Sequence, residues 1–338
     1  MANARSQASA WSQLCVAGRV ACVVQRCGDD GYHEGMTNLG AAAPPAPTSR
    51  LAAWKIAARP KTLPAAVAPI LVGSAVAWHE GGFHLLTAAV SLLVALLLQI
   101  ASNFANDVLD FKRGADTEHR LGPTRVTQSG MLSERQVQIA TGVALGLAIL
   151  CGLYLVWRGG WPMLVVGAAA AIAAVAYTGG PAPLGYLGLG EVFVFLFFGL
   201  VGVAGSAYVQ TRELTGLAVG ASIPIGALVT NILVVNNLRD IATDRVAGKR
   251  TIAVRVGAQA TRIEYLLLLI AAYLTPALLG LTGHIGRFWW LVLLTIPVAS
   301  VLVRDLWRSE GRALNPILGR SARFALIYSI PFAASIVL

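Results

Sequence analysis

Nine apolar runs dominate this chain, near residues 63–79, 85–109, 136–157, 161–178, 190–210, 214–238, 263–282, 288–304 and 320–338. Most approach the ~20 residues that a helix rising ~1.5 Å per residue needs to cross hydrocarbon. Only 12% of the residues are charged and 56% are hydrophobic, with a mean hydropathy of +0.68. Soluble domains carry roughly a quarter charged residues. The expected fold is therefore an all-α, polytopic membrane bundle of about nine transmembrane helices around a central cavity open to the cytoplasm.

Charge distribution sets the orientation. With the N-terminus cytoplasmic, every lysine and arginine except Arg158, Arg212 and Arg287 falls on the inner side, as the positive-inside rule requires. The expected location is the cell (inner) membrane, with the functional face cytoplasmic. The net charge of +10 does not argue for nucleic acid, because the bases cluster in loops between apolar runs. No protein partner can be inferred. Cys15, Cys22, Cys27 and Cys151 have neither a disulfide framework nor metal-ligand spacing.

Residues 1–50 end in the linker-like APPAPTSR and read as a flexible N-terminal extension, or as sequence upstream of a true start at Met36. Residues 51–338 form the membrane domain. It opens on LAAWKIAARPKTL, a basic amphipathic segment suited to the membrane surface.

Two of the runs end in acids. IASNFANDVLDFKRGAD carries Asp107 and Asp110, and NNLRDIATDRVAGKR carries Asp240 and Asp244. Spacings of three and four place each pair on one helix face, at a C-terminal end where the macrodipole favours cations. A single such cluster is most simply a solvated rim. Two clusters on the same membrane face, each with an asparagine four residues before its first acid (Asn103 and Asn236), point to a functional site, since ionisable groups at membrane depth are costly. Mg²⁺ takes oxygen ligands and is commonly shared between carboxylates and substrate phosphates. Nearby bases hold remaining phosphate oxygens; the candidates are Arg59, Lys112, Arg113, Arg125, Arg239, Lys249, Arg250 and Arg255. A highly charged anion at the surface with an apolar body between helices fits a prenyl diphosphate.

These residues resemble a known pattern. NDVLD followed by Asp116 is similar to the NDxxDxxxD motif of the UbiA-type intramembrane prenyltransferases, and RDIATD to their DxxxD motif. Asp116 lies six positions after Asp110, where the family motif has four. Within that superfamily the segments ARPKTLPAAVAPILVG, GPTRVTQSG, AYTGGPAPLGYLGLGEVFVFLFFGLV and NNLRDIATDRVAGKRTIAVRVG resemble most the enzymes that prenylate 1,4-dihydroxy-2-naphthoate in menaquinone synthesis. The resemblance covers residues 51–338. It implies Mg²⁺ held by Asp107, Asp110, Asp240 and Asp244, with Asp116 as a further ligand. It also implies transfer of a polyprenyl group from its diphosphate to 1,4-dihydroxy-2-naphthoate, with loss of carbon dioxide and diphosphate, giving demethylmenaquinone. Other acceptors in the superfamily (4-hydroxybenzoate, homogentisate, haem, a chlorophyllide) form the neighbouring alternative. A cation-coupled secondary transporter is an alternative of another class, but transporters place such acids near the midplane.

The remaining candidates carry two readings each. Asn103, Asn106 and Asn236 serve the diphosphate or bond between helices. Tyr177 is an interfacial anchor or a ring that shields an allylic cation. Glu191 opens its helix where the dipole favours an acid. His119 lies near the acidic loop and reads as solvated.

Overall fold

A computed structural model describes residues 49–114, 120–179 and 183–338. Asp116, like His119 and the extension up to residue 48, lies outside the described residues. Ten helices can be followed: α1 (Arg50–Ala58), α2 (Pro64–His79), α3 (Leu85–Lys112), α4 (Glu134–Gly159), α5 (Trp161–Ala176), α6 (Gly190–Thr211), α7 (Gly216–Val246), α8 (Ile252–Leu281), α9 (Arg287–Arg308) and α10 (Asn315–Val337). Among the described residues there is no strand. In lipid this is the economical solution, because a helix satisfies its own backbone.

Each of the nine apolar runs becomes one of α2–α10. Six of them (α3, α4, α6, α7, α8 and α9) have the length and hydropathy of a full crossing, or seven spans if α1 and α2 count as one bent element. The expected count of nine is thus not reached by that standard. α5 has only 16 residues, and α10, with arginines at 320 and 323, falls outside the set.

Local signals explain the boundaries. Ser49, Thr215 and Thr251 each accept a backbone N–H at the start of α1, α7 and α8, and Ser133 with Gln136 forms a full capping box before α4, relieving the amides a helix leaves unpaired. α1 and α2 meet at a 48° bend. Arg59 makes that bend in the left-handed region, at φ 51°, a costly conformation for a side-chain-bearing residue. Asn103 of α3 holds the bend, donating to the Ala58 carbonyl at 3.0 Å and to Thr62 at 3.4 Å.

α7 is the central helix: 78% of its most apolar window is buried, against 17% for α3 and α4. It packs closely on α6 because Gly226 and Gly199 face each other; a Cβ on Gly226 would lie 3.1 Å from the Gly199 Cα. Residues Phe195–Gly205 of α6 are wound as a π-helix, a form common at functional sites. In α8, Pro276 cannot donate to the carbonyl of Ala272, and Tyr328 of α10 donates its hydroxyl there instead. The packed α7 thus carries one acid pair inward between neighbours, while α3 carries the other on a helix that faces lipid along much of its length.

Candidate active site

The C-terminal ends of α3 and α7 open on one cavity of about 1220 Å³. Asn106 and Asp110 line it from α3, and Asn236, Asp240 and Asp244 from α7. The topology inferred from loop charges required these ends to share a face, and the cavity contains both. Lysines and arginines complete the wall: Lys55, Arg59, Lys61, Arg120, Arg125, Arg239, Lys249, Arg320 and Arg323.

Each acid is engaged by a base. Arg125 donates to Asp110 at 2.8 Å, with the two side chains 5% and 9% exposed. Arg239 grips Asp240 through two nitrogens, at 2.7 and 2.5 Å, and also donates to Asn236 and Asn315 at 2.8 Å. Asn315 in turn donates to the Leu121 carbonyl, tying α10 to the loop after α3. Lys249 lies 3.3 Å from Asp244 and 4.7 Å above the Tyr186 ring, whose hydroxyl reaches Asp110 at 3.4 Å. Burial alone would depress Lys249, but the carboxylates of Asp244 and Asp110 outweigh it and hold the amine above its usual value. Burial pushes the Tyr186 phenol up, opposed by Lys249. Lys249 thus feels acids from both helices, and it couples the two clusters.

Several expected residues stand elsewhere. Asp107 does not line the cavity. It is 2% exposed and its oxygens accept the backbone N–H groups of Val126 and Thr127 at 3.1 and 2.9 Å, so it anchors the loop that presents Arg125. Asn103 is spent on the α1–α2 bend. Lys112 pairs with Glu134 at 2.9 Å on the surface, and Arg250 is exposed, contributing its backbone N–H to the Tyr186 carbonyl at 2.9 Å. A period-based reading puts Asp107 and Asp110 on one broad face, but it cannot see a loop folding back over one of them.

The structure adds residues that pattern alone did not raise. Tyr186 and Asn315 come from a glycine-rich loop and a helix start, both without charge. Asn237 follows Asn236, lines the cavity and donates to Glu191 at 2.7 Å. Its signal was a second polar residue on a helix otherwise apolar at that depth.

A second, apolar cavity of about 410 Å³ runs between α2, α3, α4, α5 and α6. It meets the charged cavity at Gln99, Asn106, Tyr177, Val194 and Phe198, which line both. Tyr177 stands at this junction, wedged beside two glycines: a Cβ on Gly185 or Gly190 would come within 3.1 or 3.0 Å of its ring or hydroxyl. Thr178 donates to Asn106 across the same junction.

Among the described residues no three carboxylate, histidine or cysteine groups converge as a self-sufficient metal site. What faces the cavity from α3 and α7 is a divided set of oxygen donors, Asn106 and Asp110 on one side and Asp240 and Asp244 on the other. That set suits Mg²⁺ shared with a phosphate-bearing ligand, because Mg²⁺ takes few protein ligands and completes its shell with water and phosphate.

Comparison with known proteins agrees with this reading of the fold. Residues 66–326 match the UbiA prenyltransferase family. The 1,4-dihydroxy-2-naphthoate octaprenyltransferase of Escherichia coli (strain K12) is 38% identical over 297 residues, covering 86% of this chain and 96% of that enzyme. A UbiA homolog from Aeropyrum pernix K1 superposes with a TM-score of 0.63 at 16% identity, covering 81% of this chain and 96% of the other. A UbiA homolog from Archaeoglobus fulgidus bound to GPP and Mg²⁺ gives 0.59 at 16% identity, over 83% and 99%; at such identities the likeness concerns the fold.

Proposed function

The chain belongs to the UbiA prenyltransferase family, and from that premise we propose that it transfers a polyprenyl group from polyprenyl diphosphate to 1,4-dihydroxy-2-naphthoate. Carbon dioxide and diphosphate are released and demethylmenaquinol, the reduced form of demethylmenaquinone, is formed, a step of menaquinone biosynthesis. The chain is a multi-pass membrane protein; its bias of basic residues supports a cytoplasmic mouth, opening from the inner membrane.

The observation that carries the reading is the joining of the two cavities. A diphosphate fits where acids and bases alternate, and an isoprenoid tail fits the apolar cavity beyond Tyr177. Asn106, Asp110, Asp240 and Asp244 would hold Mg²⁺. When bound, Mg²⁺ neutralises the diphosphate as a Lewis acid and makes it a better leaving group.

The side chains divide the remaining work. Arg125, Arg239 and Lys249 are positioned to turn from carboxylate to phosphate oxygens as the ligand arrives, a charge-assisted exchange. Arg59, held at its bend, adds a cation from the opposite wall. Asp107 keeps the Arg125 loop in place from behind. As the carbon–oxygen bond of the diphosphate breaks, Tyr177, which lines both cavities, would shield the allylic cation. The ring carbon bearing the carboxylate then bonds to the terminal prenyl carbon. Carbon dioxide leaves and its bonding pair restores the aromatic ring. The apolar wall limits water, which would otherwise capture the cation as an alcohol.

The test is direct. Detergent-purified protein, given labelled polyprenyl diphosphate, 1,4-dihydroxy-2-naphthoate and Mg²⁺, should release pyrophosphate and form demethylmenaquinol, identified by mass spectrometry directly or as the quinone after air oxidation. Transfer to 4-hydroxybenzoate or another acceptor in its place, or no pyrophosphate release with any acceptor, would overturn the reading.

A further inference from the structure

We propose that Asn237, fixed by Glu191, accepts a hydrogen bond from a hydroxyl of the aromatic acceptor and so selects a hydroxylated ring over its ethers. The inference rests on the acceptor assigned above. Neither residue belongs to the acid clusters or to the bases that face them.

Glu191 is 6% exposed at the start of α6, and Asn237 is 6% exposed on α7. The Asn237 amide nitrogen donates to Glu191 Oε1 at 2.7 Å. Glu191 Oε1 is the acceptor in this contact, so the contact sets which way the amide points. The nitrogen is turned toward Glu191, and the carbonyl oxygen forms no hydrogen bond among the described residues. Asn237 nonetheless lines the charged cavity. Glu191 takes one of the two N–H hydrogens of the amide, and the carbonyl oxygen, on a residue that lines the cavity, is left to accept from a ligand that donates.

The location suits the acceptor ring. One turn before Asn237 on α7, Leu233 also lines the cavity, and a Cβ on Gly190 would lie 3.1 Å from Leu233 and 3.0 Å from the Tyr177 hydroxyl. Asn237 and Glu191 therefore stand directly beside the junction where the prenyl carbon would be exposed. Leu233, Tyr177 and Asn237 line the same cavity, so a ring seated against the first two shares it with the Asn237 amide. A neutral acceptor suits this reaction. The group that leaves the ring is carbon dioxide, so the residue needs only to draw electron density from the O–H bond toward oxygen, not to keep the proton.

Asn237 would thus be the contacting residue and Glu191 a positioning residue. The experiment measures binding of 1,4-dihydroxy-2-naphthoate and of its two monomethyl ethers to the full-length protein in detergent, under reducing conditions, alongside turnover. In the wild type, one ether should bind more weakly than the parent. In Asn237→Leu that discrimination should fall by about tenfold, the equivalent of one hydrogen bond, while the KM for polyprenyl diphosphate stays within about twofold. Glu191→Leu should lose the same discrimination, and Glu191→Gln, whose carbonyl can still accept from Asn237, should retain it. A structural role alone would not move a ratio between two ligands, and Glu191→Leu carries the test should Asn237→Leu fail to fold. Unchanged discrimination in a folded, active variant overturns this inference alone. A wild type that prenylates no naphthoate overturns the proposed function and this inference with it.

Discussion

Arg125 and Asp110 form a buried ion pair at 2.8 Å, one from the loop after α3 and the other from α3 itself. A second acid stands behind the pair: Asp107 accepts the backbone N–H groups of Val126 and Thr127, and so fixes where Arg125 begins. A loop, a base and a metal-ligand candidate are thereby set by two carboxylates three residues apart.

Arg125→Ala should therefore damage both fold and activity. Breaking a buried pair by removing one partner costs on the order of 3–5 kcal/mol, because a charge is left uncompensated. The variant should unfold at a lower temperature in detergent and lose most transfer. The double variant Arg125→Ala, Asp110→Asn should recover part of the stability and none of the turnover. Equal instability in single and double variants would show that the pair is not what matters.

Asp240 offers the opposite balance. It is more exposed than Asp110, and its partner Arg239 retains Asn236 and Asn315 when the carboxylate is neutralised. Asp240→Asn should keep its thermal transition close to the wild type and lose roughly a hundredfold or more in turnover, the scale of removing one preorganised electrostatic group. An active Asp240→Asn enzyme would remove the metal argument.

The run of apolar segments and the loop charges made the bundle and its acidic mouth legible in the sequence, since hydrophobic length and basic loops act residue by residue. The spacing of Asp110, Asp240 and Asp244 did the same for three cavity acids. What the sequence could not display is the loop at 120–127 closing over α3. That contact turns Asp107 inward to two amides, although it sits in the same helical motif as Asp110. Lys112 and Arg250 were plausible by proximity alone; their side chains end at the surface. Tyr186 and Asn237 were missed because their roles depend on what a neighbouring loop or helix presents to them.

The two aspartates of α3 should separate in their metal dependence. Asp107→Asn loses charge-assisted hydrogen bonds worth about 1.5–3 kcal/mol each, so its chief effect should be a lower unfolding temperature, with the Mg²⁺ concentration for half-maximal rate within about twofold of the wild type. Asp110→Asn should raise that concentration by about tenfold, the factor that corresponds to ~1.4 kcal/mol of lost contact to a charged group. A variant at 107 that demands as much extra Mg²⁺ as the variant at 110 would return Asp107 to the metal.

The apolar cavity can be tested at Gly167 of α5. This glycine lines it, and a Cβ there would meet nothing within 4 Å, so a larger side chain enters open space without displacing a neighbour. Replacing a mid-helix glycine also removes a backbone penalty of roughly 0.5–1 kcal/mol, which protects the fold. Gly167→Phe would add a ring at the edge of the cavity in which the isoprenoid tail is expected to lie. Loss of contact equivalent to about two buried methylenes, at ~0.8 kcal/mol each, corresponds to roughly a tenfold weakening. The KM for a long polyprenyl diphosphate should rise by that amount, while geranyl diphosphate, whose tail ends sooner, should be transferred at close to the wild-type rate. If long and short donors suffer alike, the tail does not occupy this cavity, and the site of the apolar chain must be sought between other helices.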